Sequence, residues 1–214
     1  MSEYYIGVDV GTGSVRAGLV TRDGHVSHVS VKPITRVSPA PGHYLQSSGE
    51  IWSAVASTVA SVMDQARVSS DQVKGLGFTA TCSLVVVTED GSDVGLCDDQ
   101  GYDVIMWMDH RAEVDTYRYI YFISYHNCSY QTEAGAINKT KHRILDYVGG
   151  GVSLEMQMPK LLWLKNHRPD VWRNAFKYFD LPDWLVYRAT QTDVRSLCSV
   201  VCKVGYQPGN KIQD

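Results

Sequence analysis

The run "YYIGVDVGTGSVRAGLVT", residues 4–21, sets two apolar stretches on either side of a bend built from Gly11, Thr12, Gly13 and Ser14. Glycine bends of this kind usually hold phosphate, so the known phosphate motifs are the first comparison. A Walker loop closes on Gly-Lys-Ser/Thr, and this bend has no such lysine. A dinucleotide fingerprint places a third glycine at the opening of a helix; here Arg16 stands in that place. Beyond the bend, Val15, Ala17 and Leu19 alternate with Arg16, Gly18 and Val20, the period of a half-buried strand. The bend therefore joins strand to strand, and a doubly wound dinucleotide fold is excluded. Taken locally, it is a phosphate-binding turn or a plain tight hairpin.

The pattern predicts three strands at the start, over residues 4–10, 15–21 and 25–32. Asp23-Gly24 supplies the tight turn between the last two. After the proline-bearing loop 33–42, "SSGEIWSAVASTVASVMDQA" carries Trp52, Val55, Val59, Val62 and Ala66 at helical spacing. Ser47 and Glu50 stand at capping-box distance ahead of that run. "VKGLGFTA" and "LVVVT" read as buried strands. A meander, then a helix, then a strand predicts an α/β domain with a mixed sheet. The second half predicts helices over 137–148, 159–176 and 181–190, with Pro159 suited to a first turn. Trp107, Trp163, Trp172 and Trp184 occupy apolar-face positions and are expected in the core.

Composition narrows the partners. A net charge of −3 offers no basic face for nucleic acid. No basic-then-apolar leader and no apolar run of bilayer length is present, so a cytoplasmic protein with no membrane contact is expected. The five cysteines, Cys82, Cys97, Cys128, Cys198 and Cys202, are scattered without a second pair at metal spacing. Free thiols are expected, with no zinc site and no disulfides.

Several separated blocks resemble the FGGY carbohydrate kinases, on the ribulose-kinase-like side of that family. They are "GVDVGTGSVRAGLV", "WSAV", "GLGFTATCSLVVV", "WMDHRA", "YVGGGVSLEMQMPKLLWLK" and "FDLPDWLVYRATQTDVRSLCSVVCK", in order along the chain. The resemblance implies a ribonuclease H-like α/β domain of the actin-like ATPase type, the first of two domains around a cleft. It implies transfer of the ATP γ-phosphate to a hydroxyl of a pentulose such as D-ribulose, with ATP and Mg²⁺ as cofactors and a sugar as the small-molecule partner. Phosphate and Mg²⁺ then fall to Asp9, Gly11, Thr12, Gly13, Ser14 and Arg16, with Asp9 acting on the metal through water. The bend's amides would form a nest, and glycine would tolerate the backbone angles it needs. Arg16 would supply a fixed cation.

The same resemblance places Thr81, Cys82, Ser83, Asp109, Arg111 and Lys160 at the sugar. Each residue also has a plainer reading. Cys82 suits a small buried apolar site, Asp109 suits a simple pair with Arg111, and a lysine on a helix is usually solvated. Thr79 stands where the resembling kinases often carry aspartate, which removes one acceptor from the "FTATCS" loop. An actin-like or heat-shock-type ATPase without a sugar is disfavoured by the "WMDHR" and "MPKLLWLK" blocks.

The chain departs from the family in two places. "TYRYIYFISYHNCSY", residues 116–130, has no counterpart there and reads as an insertion, rich in aromatic and β-branched residues, with the high β-propensity and low charge that risk aggregation when exposed. The resemblance then stops near residue 206, and residues 207–214 read as a disordered tail. A second domain, with the aspartate that takes the sugar proton and the glycine-rich adenosine site, is expected to be absent. The competing expectation is a non-catalytic fragment or isoform that binds sugar or partners without phosphoryl transfer.

Overall fold

The structure, a computed structural model, describes residues 2–99, 101–112 and 133–203. The expected insertion at 116–130 and the tail at 207–214 lie outside these residues. Strands β1 (Tyr4–Val10), β2 (Ser14–Thr21) and β3 (Val26–Pro33) form the predicted antiparallel meander. Gly24, at φ 88°, makes the turn between the last two. Alternation decides the faces: Ile6, Val8, Val10, Val15, Ala17 and Leu19 are all buried, and Asp9 and Arg16 stand on the opposite side.

Helix α1 (Ser48–Ala66) covers the buried face with Ile51, Ala54, Val55, Thr58 and Val62. Its start is half of a capping box. Ser47 Oγ accepts from the Glu50 N–H at 3.3 Å. The Glu50 carboxylate does not close the box but accepts from the Thr35 N–H at 3.0 Å and the Thr35 hydroxyl at 2.9 Å. The entry loop is thereby tied to the helix N-terminus, where a carboxylate is favoured by the helix dipole. The helix ends at Arg67 in the left-handed region (φ 52°), which lets its N–H and that of Val68 cap Asp64 and Met63.

The chain returns through β5 (Val73–Ala80), parallel to β1, giving the order β3-β2-β1-β5. This is the mixed sheet that the pattern predicts. A second sheet, wholly antiparallel, has the order β4-β7-β6-β8. Its strands are β4 (Leu45–Gln46), β6 (Leu84–Val87), β7 (Val104–Ile105) and β8 (Lys177–Asp180). Val85, Val104 and Phe179 pack into the same core cluster as Ile6, Val15 and Ile51, so the two sheets share one interior.

The helical second half is more broken than its periodicity implies. Residues 137–148 are not one helix. Helix α2 (Glu133–Lys139) ends before Lys141, which sits at φ 49°, and a 3₁₀ segment (Arg143–Val148) follows. The predicted helix over 159–176 divides into α3 (Gln157–His167) and α4 (Pro169–Asn174). Pro169 forces the break, because its ring disfavours helical angles at the residue before it, and Arg168 accordingly lies at φ −131°, ψ 64°. Helix α5 (Leu181–Thr190) matches expectation, with Pro182 in its first turn, and α6 (Leu197–Cys202) closes the described chain.

Candidate phosphate and sugar site

Asp9 and Arg16 are register partners on β1 and β2, and Arg16 Nη1 donates to Asp9 Oδ2 at 3.0 Å. Both side chains are about half exposed, so the pair stands at the surface beside the bend. The bend itself is half-buried to exposed and feeds directly into β2. Its glycines differ from expectation, because neither Gly11 nor Gly13 adopts a positive φ. Gly11 instead lies close beneath Arg16, since a Cβ there would lie 3.3 Å from the flexible Arg16 Nη1. At Gly13 a Cβ would meet nothing. The nest is also smaller than expected: the Gly11 N–H is already committed to the Ser14 carbonyl at 3.0 Å.

Below Asp9 and Arg16, Gly18, Gly7 and Gly77 face one another across β2, β1 and β5. Three missing side chains in one row leave a shallow groove of about 440 Å³ on the outer sheet face, with Asp9, Arg16 and Thr79 among its walls.

The other candidate residues gather behind the bend. Ser83 is fully buried just before β6; Thr81 and Cys82 are half-buried. The Thr81 N–H donates to the Val10 carbonyl at 3.0 Å, tying this loop to the end of β1. Asp109 and Arg111 form a buried, two-pronged pair, with Nε on Oδ1 and Nη2 on Oδ2, each at 2.8 Å. Oδ1 also accepts from the Arg111 N–H at 3.0 Å, and Oδ2 from the Tyr44 N–H at 2.6 Å. All four acceptor positions of the carboxylate are thus filled within the chain. The guanidinium lies 5.2 Å over the Trp163 ring, an arrangement suited to a desolvated cation.

Lys160 is not solvated. It is fully buried on α3, and its ammonium donates to the Met106 carbonyl at 2.8 Å and to those of Trp107 and Glu155 at 3.4 Å. Burial lowers its pKa to about 8, a fall that the nearby Asp109 charge opposes.

Two residues stand out that the sequence reading passed over or misplaced. Trp107 is half-buried, not core, and its indole Nε1 donates to Thr12 Oγ1 at 3.1 Å. Gln46, fully buried on β4, donates from Nε2 to the Thr12 carbonyl at 2.9 Å. Trp163 and Trp172 are half-buried as well, the first under Arg111 and the second stacked on Tyr178; Trp184 is in the core as expected.

Residues 4–203 match the profile described as the FGGY family of carbohydrate kinases, N-terminal domain. The chain belongs to the FGGY family of carbohydrate kinases. It is 44% identical over 206 residues to a human FGGY carbohydrate kinase domain-containing protein, covering 95% of this chain and 34% of that protein. It is 39% identical over 211 residues to a D-ribulokinase of Saccharomyces cerevisiae, covering 97% and 27%. The fold superposes on a xylulose kinase from Rhodospirillum rubrum with a TM-score of 0.73 at 19% identity, over 94% of this chain and 37% of that one. The likeness bears out the actin-like mixed-sheet fold. The chain spans about a third of the length of these relatives.

Within this FGGY domain, Gln46 and Gln157 are the polar residues that sequence reading missed. Gln157 is fully buried at the start of α3, with Nε2 on the Cys82 carbonyl at 3.1 Å and on Asp180 Oδ1 at 2.6 Å. Their one sequence signal is an amide set among apolar neighbours, in "YLQ" and "EMQMP". Burial pushes the Asp180 pKa up to about 6. No helix among the described residues is long and apolar enough to cross a membrane.

Proposed function

We propose that this chain supplies the phosphate- and sugar-binding half of an ATP-dependent kinase acting on a pentulose such as D-ribulose. The observation that carries the reading is convergence. Thr12 of the bend, Ser83 of the "FTATCS" loop and Lys160 of α3 all bond to one residue, Trp107. The kinship to a D-ribulokinase favours a ketopentose as the sugar.

The residues fit ATP and Mg²⁺ on two observations. Gly11 leaves the space over the bend that Arg16 occupies, and a Cβ would crowd it. Asp9 is a single half-exposed carboxylate, and no group of three His, Cys, Asp or Glu suited to a metal exists among the described residues. One carboxylate suits an ion that keeps most of its water. Asp9, Gly11, Thr12, Gly13, Ser14 and Arg16 would hold the phosphates and the hydrated metal. When bound, Mg²⁺ neutralises charge on the transferring phosphate.

Arg16 exchanges Asp9 for a phosphate oxygen, and the Thr12 hydroxyl adds a neutral donor. Thr81, Cys82, Ser83, Asp109, Arg111 and Lys160 form the sugar side. Asp109 and Lys160 are already fully bonded within the chain, so a sugar hydroxyl must displace the Tyr44 amide or one carbonyl. The general base that takes the sugar proton belongs to the part of the relatives that this chain does not span. Residues 1–206 alone are accordingly a binding unit, with residues 116–130 inserted and 207–214 as a tail.

A coupled assay of ADP release with D-ribulose tests the reading, run on this chain and on the chain joined to a relative's remaining two-thirds. Turnover only in the joined form supports it. Turnover in neither, with no ketopentose binding by calorimetry, contradicts it. A non-catalytic role, binding sugar or partners without transfer, would show binding and no turnover in both.

A further inference from the structure

We infer that Trp107 is a positioning residue for phosphate. Its indole N–H fixes the Thr12 hydroxyl so that the hydroxyl's own proton is turned toward the bound phosphoryl oxygen. The inference deepens the reading above and rests on it.

A threonine hydroxyl has one donor and two acceptor sites. In this chain one acceptor site is filled by Trp107 Nε1–H at 3.1 Å, across 95 residues of sequence. A hydroxyl that accepts a hydrogen bond from one side turns its proton elsewhere, and accepting polarises the O–H it offers. Thr12 is held at a second atom as well, its carbonyl receiving Gln46 Nε2 at 2.9 Å. With the carbonyl and the hydroxyl both fixed, the residue has lost its freedom to rotate before any ligand arrives, which is where preorganisation gains its effect.

Both clamps come from the second sheet. Gln46 pairs with Val104 across β4 and β7, and Trp107 lies two residues beyond the end of β7. Trp107 is in turn fixed by the sugar-side groups. Its N–H donates to Ser83 Oγ at 3.3 Å, and its carbonyl accepts from Lys160 at 3.4 Å. Movement of Ser83 or Lys160 toward a sugar therefore reaches the phosphate bend through one side chain. The bend is half exposed, so the hydroxyl proton has solvent or ligand to meet.

The test uses the full chain with ¹⁵N-indole labelling, which gives five Nε1–H resonances, one for each tryptophan. With the Trp107 resonance assigned through its backbone connectivity, Thr12→Val is expected to shift it to the position of an unbonded indole, and Thr12→Ser to restore it. Mg-ATP is then titrated into wild type, Trp107→Phe, Thr12→Val and the double variant. Trp107→Phe is expected to weaken Mg-ATP about fivefold, the scale of one neutral hydrogen bond. The double variant should bind no more weakly than Thr12→Val alone, because the indole acts only through that hydroxyl.

A merely structural tryptophan would give additive losses and an indole resonance indifferent to residue 12; either result overturns the inference. If Trp107→Phe does not fold, the Thr12 variants still decide it through the resonance. Wild type that binds no Mg-ATP, with the indole still responding to Thr12→Val, overturns the phosphate reading and this inference with it. That outcome differs from the failure of Trp107 alone.

Discussion

Arg111 grips Asp109 through both carboxylate oxygens at 2.8 Å, with side chains 1% and 0% exposed. A pair so enclosed is held for geometry, since burying two charges costs about as much as their attraction returns. It fixes the loop after β7 against Tyr44 and seats the guanidinium over Trp163.

Asp109→Ala should therefore cost about 3–5 kcal/mol, because it strands a buried cation. The double change Asp109→Leu with Arg111→Met should cost less than the single one. Urea denaturation of the three proteins measures both, and a double variant worse than the single would show that the pair contributes net stability.

Asp180 makes stability fall with pH on the acid side. Burial raises its pKa from 3.8 to about 6, so the folded chain holds the proton that the unfolded chain releases first. The contribution is present below about pH 4 and lost as pH rises toward 6, amounting to about 2–3 kcal/mol. Asp180→Asn keeps the acceptor for Gln157 Nε2 and should flatten that slope in denaturation curves collected from pH 4 to 7.

Lys160 acts in the alkaline range. Its pKa falls from 10.5 to about 8 on folding, so the folded chain gives up its proton first and stability rises with pH between these values. The rise is on the order of 3 kcal/mol. Lys160→Met should abolish it, as seen by chemical denaturation at pH 7.5, 9 and 10.

Gly11→Ala separates binding from folding. Its Cβ would press on the flexible end of Arg16 at 3.3 Å and touch the Ser14 carbonyl in ordinary contact at 3.6 Å, and the backbone there is ordinary, so stability should change by less than about 1 kcal/mol. The Arg16 guanidinium must nonetheless give by a few tenths of an ångström beside Asp9, and Mg-ATP affinity should fall severalfold. Gly13→Ala, where a Cβ meets nothing, serves as the comparison. Equal affinities for the two variants by calorimetry would remove Arg16 from the phosphate site.

The fold's first half was legible because one face of β1 and of β2 is buried; β3 and β5, the latter expected as a buried strand, have no fully buried residue. Alternation marked Ile6, Val8, Val10, Val15, Ala17 and Leu19, and helical spacing marked α1. Strands β4 and β7 have two residues each, too few for a period, so the second sheet was not visible. With it went Gln46 and Trp107, whose roles depend on a bond to a residue far off in sequence. Conformational freedom is the usual reason for glycine in such a bend, whereas Gly11 has ordinary backbone angles and lies close beneath the Arg16 guanidinium. Lys160 misled because helical lysines usually reach water; three converging carbonyls hold this one inside. The break at Arg168 was readable in principle, as the residue before Pro169.

The most direct test of the phosphate bend is a thermal melt with and without Mg-ATP and a ketopentose. Ligand at about a hundredfold over its Kd adds about 2.7 kcal/mol, which raises the midpoint by several degrees for a chain of this size. The account predicts that rise with Mg-ATP for wild type and its loss in Arg16→Leu. A midpoint that neither Mg-ATP nor any ketopentose moves would contradict it.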